Sequence, residues 1–110
     1  MKDVRNEALL FDFYGSLLKG RQRDIYEASV MDDMSLSEIS EEYGISRQAV
    51  SAMLNRCRKA LMGYEEQLQL IKRFEEIGAV ASEIKEIAGR LDNSDSAKIV
   101  ELTDRILGDL

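Results

Sequence analysis

The chain of 110 residues has no histidine, no proline and a single cysteine. Without histidine, and with one thiol set on an apolar stripe, the usual nucleophile–base pairs cannot be assembled. No metal-ligand spacing and no glycine-rich phosphate loop occurs. The carboxylates are plentiful but fall on what read as solvated helix faces. These absences predict a protein that is not an enzyme and carries no cofactor or metal. One cysteine excludes an intrachain disulfide and fits a reducing compartment. Cys57 itself reads as a small core hydrophobe. Long apolar runs are missing too, since none approaches the ~20 residues of a membrane span. The charged start, Met1–Glu7, leads into a helix rather than into a signal peptide's apolar stretch. A cytoplasmic protein is expected.

At this length the chain makes one domain, or one compact domain with an extension, and buries roughly 65% of its unfolded surface. Net charge is −6, and its distribution is uneven. Residues 1–33 carry five bases and seven acids, residues 34–63 four bases and three acids, and residues 64–110 six bases and eleven acids. An acidic total opposes long-range attraction to nucleic acid. The stretch after Ser46, with Arg47, Arg56, Arg58 and Lys59, is the one base-only segment.

That segment lies inside the pattern around which the chain is organised, Ser35–Leu61. Ser35 followed by Glu38 is a capping box that starts a helix. The helix runs to about Tyr43, where Gly44 supplies a left-handed stop. Ser46 caps a second helix beginning at Arg47. Leu36, Ile39 and Tyr43 share one face of the first helix, and Ile45 sits in the turn. Val50, Met53, Leu54, Cys57 and Leu61 form a stripe on the second. At 100° per residue, Gln48, Ser51, Ala52, Asn55 and Lys59 point the other way. A polar, small, acid-free outer face suits entry into a major groove. An ordinary helical hairpin with a solvated face is the alternative to this motif.

Ahead of this pattern, a helix is expected from about Val4 to Leu18. Val4, Ala8, Phe11, Tyr14 and Leu18 form one face, and Leu10, Phe13 and Leu17 a second strip. Gly15 lies within it, where it permits close packing. Lys19-Gly20 breaks the chain. The next helix spans about Arg21 to Met31 with Ile25, Tyr26, Ala28 and Ser29 inward. Arg21 and Arg23 in its first turn oppose the helix dipole, which points to another use, either phosphate contact or salt bridges. The motif is expected to end or kink at Gly63. A further helix, Tyr64–Leu91, repeats apolar residues at Tyr64, Leu68, Ile71, Phe74, Ile77, Ala81, Ile84, Ala88 and Leu91. A last helix runs from about Ser96 to Leu107 with Ile99, Leu102 and Ile106 on one face. Strand signals are weak throughout. The expected fold is all-α, a helix-turn-helix without a wing, followed by additional C-terminal helices. Residues 1–63 hold the motif. Residues 64–110 form an extension that either packs on it or makes a dimer seam.

Leu17-Leu18, Arg21-Gln22-Arg23-Asp24-Ile25, Ser35-Leu36-Ser37-Glu38-Ile39-Ser40 and Tyr43-Gly44-Ile45-Ser46-Arg47-Gln48-Ala49-Val50 together resemble region four of bacterial sigma factors. With the join Asp32-Asp33-Met34-Ser35 and the tail Tyr64-Glu65-Glu66-Gln67-Leu68, the chain more closely resembles the YlxM-like family of small bacterial helix-turn-helix proteins. The resemblance covers roughly residues 4–90. It implies a regulatory part in the signal recognition particle pathway, a link carried by gene neighbourhood. Two positions depart from the sigma pattern. Gly20 stands where proline is common, and Ser40 where many such motifs have alanine.

The nucleic-acid-binding set expected from these readings is Ser46, Arg47, Gln48, Ser51, Asn55, Arg56, Arg58 and Lys59, with Arg21 and Arg23 as outlying phosphate contacts. Gln48, Ser51 and Asn55 would read base edges, while Arg56, Arg58 and Lys59 would hold the backbone. The partner would be DNA or RNA, or a component of the signal recognition particle docked on the same face. A homodimer built from the first helix and the Tyr64–Leu91 seam is a further expectation.

Overall fold

The computed structural model describes residues 4–110, with side-chain surroundings from residue 6 onward. The charged start Met1-Lys2-Asp3 and the inward position expected of Val4 lie outside the described residues and side chains. Six α-helices and no strand occupy the described residues. They are α1 (Val4–Tyr14), α2 (Gly20–Val30), α3 (Leu36–Tyr43), α4 (Arg47–Leu68), α5 (Leu70–Gly89) and α6 (Ser94–Asp109). The fold is all-α, as expected. The chain divides into two compact units, Met1–Gln69 and Leu70–Leu110.

The first unit gathers α1 to α4 around Leu10, Phe11, Tyr14, Leu18, Ile25, Tyr26, Ile39, Val50, Leu54, Cys57 and Leu61, all buried. α1 ends at Tyr14, short of the expected Leu18, and Gly15–Leu17 tightens into a 3₁₀ turn. The Phe11 ring causes this close approach. A Cβ at Gly15 would stand 2.8 Å from Phe11 Cδ1, so only glycine lets the ring lie against the turn. Leu17 consequently points outward. Tyr26 packs against the same ring, with centroids 5.9 Å apart. Gly20 opens α2 with φ of +59°, a conformation closed to the proline common there in sigma factors. Leu36, expected in the core, is exposed at the first turn of α3.

α4 does not end at Gly63. It continues to Leu68, and Gln69 in the left-handed region closes it. Glycine inside a helix costs about 1 kcal/mol, and packing against α1 offsets this. The Tyr64 ring lies 6.1 Å from that of Tyr14, whose hydroxyl donates to Glu65 Oε1 at 2.5 Å. The boundary expected at residue 63 therefore falls inside α4.

The second unit is a hairpin of α5 and α6. A Cβ at Gly78 would lie 3.5 Å from Leu110 Cδ1, and Lys85 pairs with Asp104 at 2.6 Å, so the two helices run antiparallel. Asn93 caps α6 by accepting from the Ser96 amide at 2.9 Å. The buried positions are Ile71, Ala81, Ala88 and Thr103. Thr103, not expected inside, satisfies its hydroxyl on the Ile99 and Val100 carbonyls of its own helix. Leu102 and Ile106, expected on one face of the helix with Ile99, are 43% and 42% exposed. The single seam expected over Tyr64–Leu91 is thus cut at Gln69. Within α5 it separates into a buried row, Ala81 and Ala88, and an exposed row containing Ile77 and Ile84.

Candidate nucleic-acid interface

The turn between α3 and α4 is fixed by local hydrogen bonds. Ser35 Oγ accepts from the Glu38 amide at 3.1 Å, and Glu38 Oε1 accepts from the Ser35 amide at 3.0 Å. The bond from the Ser35 amide, with a contribution from the Ser35 hydroxyl, holds the Glu38 carboxyl below its usual range. Gly44 is left-handed at φ +66°. Ser40 Oγ donates to the Ile45 carbonyl at 2.5 Å, and the Ile45 amide returns to the Ser40 carbonyl at 3.2 Å. Serine in place of alanine therefore ties the turn to α3 from within. Ser46 Oγ accepts from the Ala49 amide at 3.0 Å, which starts α4 at Arg47 and commits the hydroxyl to the cap.

From this start α4 presents two faces. Val50, Leu54, Cys57 and Leu61 are buried and Met53 half-buried. On the other side Gln48, Ala52, Asn55 and Lys59 are exposed and Ser51 half-buried, with Arg47 and Arg56 exposed at the two edges of this face. No acidic residue occurs between Arg47 and Tyr64. Among the described residues, no ion pair engages Arg47, Arg56 or Lys59. Their charge is therefore not engaged within the chain: Lys59 lies on the outer face, while Arg47 and Arg56, about 180° apart around the helix, flank it on its two edges. Burial pushes the Cys57 thiol up, against the opposing effect of Arg56 and Arg58, and its Sγ donates to the Gln22 carbonyl at 3.6 Å. Its place is in the core, as the sequence reading has it.

The remaining bases have work inside the fold. Arg58 forms an ion pair with Glu7 of α1, both side chains being less than one-fifth exposed. It also donates to Asn55 Oδ1 at 2.7 Å. Arg58 is therefore not a free phosphate ligand. The chain Glu7–Arg58–Asn55 instead fixes the Asn55 amide, engaging its oxygen and leaving the amide nitrogen to the outer face. Glu7 is a positioning residue that the sequence pattern does not reveal, and with the partners 51 positions apart no local spacing signals it.

Arg21 donates to the Tyr43 carbonyl at the C-terminus of α3, with its guanidinium 5.6 Å from the Tyr43 ring centre. A cation at a helix C-terminus is favourable, which answers the cost of placing Arg21 in the first turn of α2. Arg23 pairs with Glu27 at 3.4 Å and lies 5.4 Å from the Phe11 ring centre. Both arginines are occupied. Next to them, Asp24, Glu27, Asp32 and Glu42 line a shallow concavity with Ala28, Met34 and Tyr43, an acidic surface that repels phosphate. Among the described residues of the first unit, the unpaired positive charge lies mainly on α4.

Comparison with known proteins agrees with this architecture. The family described as "Putative helix-turn-helix protein, YlxM / p13 like" (UPF0122) matches residues 1–102. A UPF0122 protein of Symbiobacterium thermophilum is 42% identical over 94 residues, covering 86% of this chain and 88% of its own. YlxM of Bacillus subtilis is 39% identical over 98 residues, with 88% and 89% covered. A relative from Desulforamulus reducens is 36% identical over 108 residues, with 98% and 90% covered. No helix among the described residues is long and apolar enough to cross a membrane. With its helical fold and its likeness along almost the whole length, this chain belongs to the YlxM/p13-like family of helix-turn-helix proteins.

Proposed function

We propose that this protein is a non-enzymatic regulatory or accessory factor that binds nucleic acid through the outer face of α4. The observation that carries the reading is the free, acid-free triad Arg47, Arg56 and Lys59 in a chain of net charge −6. Gln48 and Asn55 offer amide groups to base edges, and Ser51 a hydroxyl. Arg56 and Lys59 hold the phosphate backbone, and Arg47, at the helix start, reaches a base or a phosphate. Arg58 acts at one remove by orienting Asn55. The process served would be protein targeting by the signal recognition particle, as the family resemblance implies, and a structured RNA of that assembly is then as suitable a ligand as DNA.

Salt titration of binding, followed by fluorescence anisotropy with duplex DNA and with hairpin RNA, tests this. Three phosphate contacts give a log–log slope of about −2.7 on duplex DNA, and Lys59→Ala brings it closer to zero by about one. Gln48→Ala relaxes sequence preference with little change in slope. Affinity independent of salt would sink the reading. The acidic balance of the chain favours a second reading, a protein-docking module of the targeting machinery. In that case nucleic acid does not bind. The signal recognition particle protein is then retained at low salt, and substitution of Arg47, Gln48 or Asn55 abolishes the retention.

A further inference from the structure

The hairpin of α5 and α6 leaves its larger apolar side chains outside. Ile77, Val80, Ile84 and Ile87 are 49%, 56%, 42% and 51% exposed, and Leu91 in the terminating turn 49%. Their spacing alternates three and four residues without interruption, the repeat of a coiled-coil seam whose a positions are Ile77, Ile84 and Leu91 and whose d positions are Val80 and Ile87. Ile106 of α6 borders the same surface, in a groove with Ile77, Val80, Ala81 and Ile84. Leu102 and Leu110 continue it, at 43% and 39% exposed. We propose that this face binds the same face of a second copy of the chain, pairing two hairpins about a two-fold axis as an antiparallel four-helix bundle.

Three features select a second copy as the occupant. The first is area. The eight side chains together expose roughly 700 Å² per copy, beyond the few hundred Å² a monomer ordinarily leaves in one patch. Two copies would bury roughly 1,400 Å², the size of a specific interface. The second is side-chain type. Branched residues at both a and d favour more than two helices around the seam, and two hairpins supply four. The third is charge. The g positions flanking the seam are Glu76, Glu83 and Arg90, while the e positions are Ala81 and Ala88, buried in the hairpin. An antiparallel register that layers Ile77 on the partner's Ile87, and Val80 on the partner's Ile84, brings Glu76 beside the partner's Arg90 twice by symmetry, against a single like-charged approach of Glu83 to its own copy at the axis. A parallel pairing sets the same glutamate against alanine. Arg90 is held in the free chain by the exposed pair to Glu86 at 2.8 Å, which exchanges at little cost.

Sedimentation equilibrium of the full chain, without nucleic acid, tests the proposal, so its outcome is separate from that of the α4 reading. A reversible dimer is expected, and Ile84→Glu weakens it about a hundredfold or more by burying two unpaired carboxylates at the seam. Glu76→Arg alone and Arg90→Glu alone each weaken it about five- to tenfold, and the two together restore it. That restoration cannot come through Glu86, whose pairing to Arg90 is lost in both variants that carry Arg90→Glu. Should Ile84→Glu lose helicity, the charge exchange at exposed positions decides alone. A monomer up to about 100 μM, another stoichiometry, or self-association untouched by the charge exchange would overturn the proposal.

Discussion

The two units of this protein use the same secondary structure to opposite ends. In the first, helices α1 to α4 turn their large side chains inward, and Tyr14, Tyr26, Ile25, Ile39, Val50 and Leu61 are almost completely buried. Its outside is mainly polar, the free bases of α4 included, although Leu17, Met31, Leu36, Met62 and Leu68 are exposed there as well. In the second, Ile71 apart, the buried positions are small residues and most of the large ones lie outside. Ala81, Ala88 and Thr103 are buried, while Ile77, Val80, Ile84 and Ile87 are about half exposed. A helix pair with so little interior gains little from folding alone, because the hydrophobic contribution scales with apolar area removed from water. The first unit is thus self-sufficient in its packing, and is the platform on which the proposed α4 interface stands. The second has the open apolar face on which the dimer proposal rests.

The strongest way to break this comparison is to shorten one isoleucine in each unit. Ile39→Ala empties a fully buried site at the α3–α4 crossing and should cost about 2–5 kcal/mol. Ile84→Ala removes a half-exposed side chain and should cost the monomer less than about 1 kcal/mol. Chemical denaturation at low micromolar concentration, with hydrogen exchange to report each unit separately, measures both. Equal costs would show that the exposed row of α5 already has a cover within the chain, and the contrast between the units would fail.

The local signals in the sequence located the platform well. The Ser35–Glu38 box, the left-handed Gly44 and the Ser46 cap each act over three or four residues, and each stands in the structure as the spacing predicts. The outer set Gln48, Asn55 and Lys59 followed from helical periodicity alone. What the sequence concealed was long-range. Arg58 looks like a phosphate ligand until Glu7 arrives from α1, and Arg21 until the α3 C-terminus does. Gly63 looks like a stop until Tyr14 packs against Tyr64. In α5 the difficulty was different. Two apolar rows interleave at three- and four-residue steps, and periodicity cannot tell which faces a neighbour until that neighbour is placed. The three-four repeat of Ile77, Val80, Ile84 and Ile87 was present in the sequence all along, merged with the row of Ala81 and Ala88.

Alkaline pH sharpens the comparison, because all four tyrosines belong to the first unit. Tyr26 is fully buried. Burial, with help from the Glu7 carboxylate, pushes its phenol from 10.0 up to about 12. Between these values the unfolded chain has lost the proton and the folded chain keeps it. Stability is therefore complete below pH 10 and falls by about 1.4 kcal/mol per pH unit up to about pH 12. Denaturant midpoints measured from pH 9 to pH 11.5 should show this loss in the wild type. The Tyr26→Phe variant should show a flatter profile. If the two profiles are parallel, water reaches the phenol and the interior of the first unit is less closed than its packing implies.

The smallest effect expected comes from the helix caps, one in each unit. Ser35 and Asn93 do the same chemical work, each side-chain oxygen accepting from a backbone amide three residues on, at 3.1 and 2.9 Å. Replacing either by alanine removes one capping bond, worth about 1 kcal/mol. The consequences should differ with the surroundings. α3 has only eight residues, too short to persist without its caps and its packing. Ser35→Ala should therefore lower the cooperative unfolding free energy of the whole first unit. α6 has sixteen residues and few buried anchors, so Asn93→Ala should fray its first turn and leave the first unit unchanged. Native-state hydrogen exchange distinguishes the two, as a uniform loss of protection across α1 to α4 or a local one near Ser96. Uniform loss in both variants would mean that the units unfold as one, and that the hairpin owes its order to more than its own two helices.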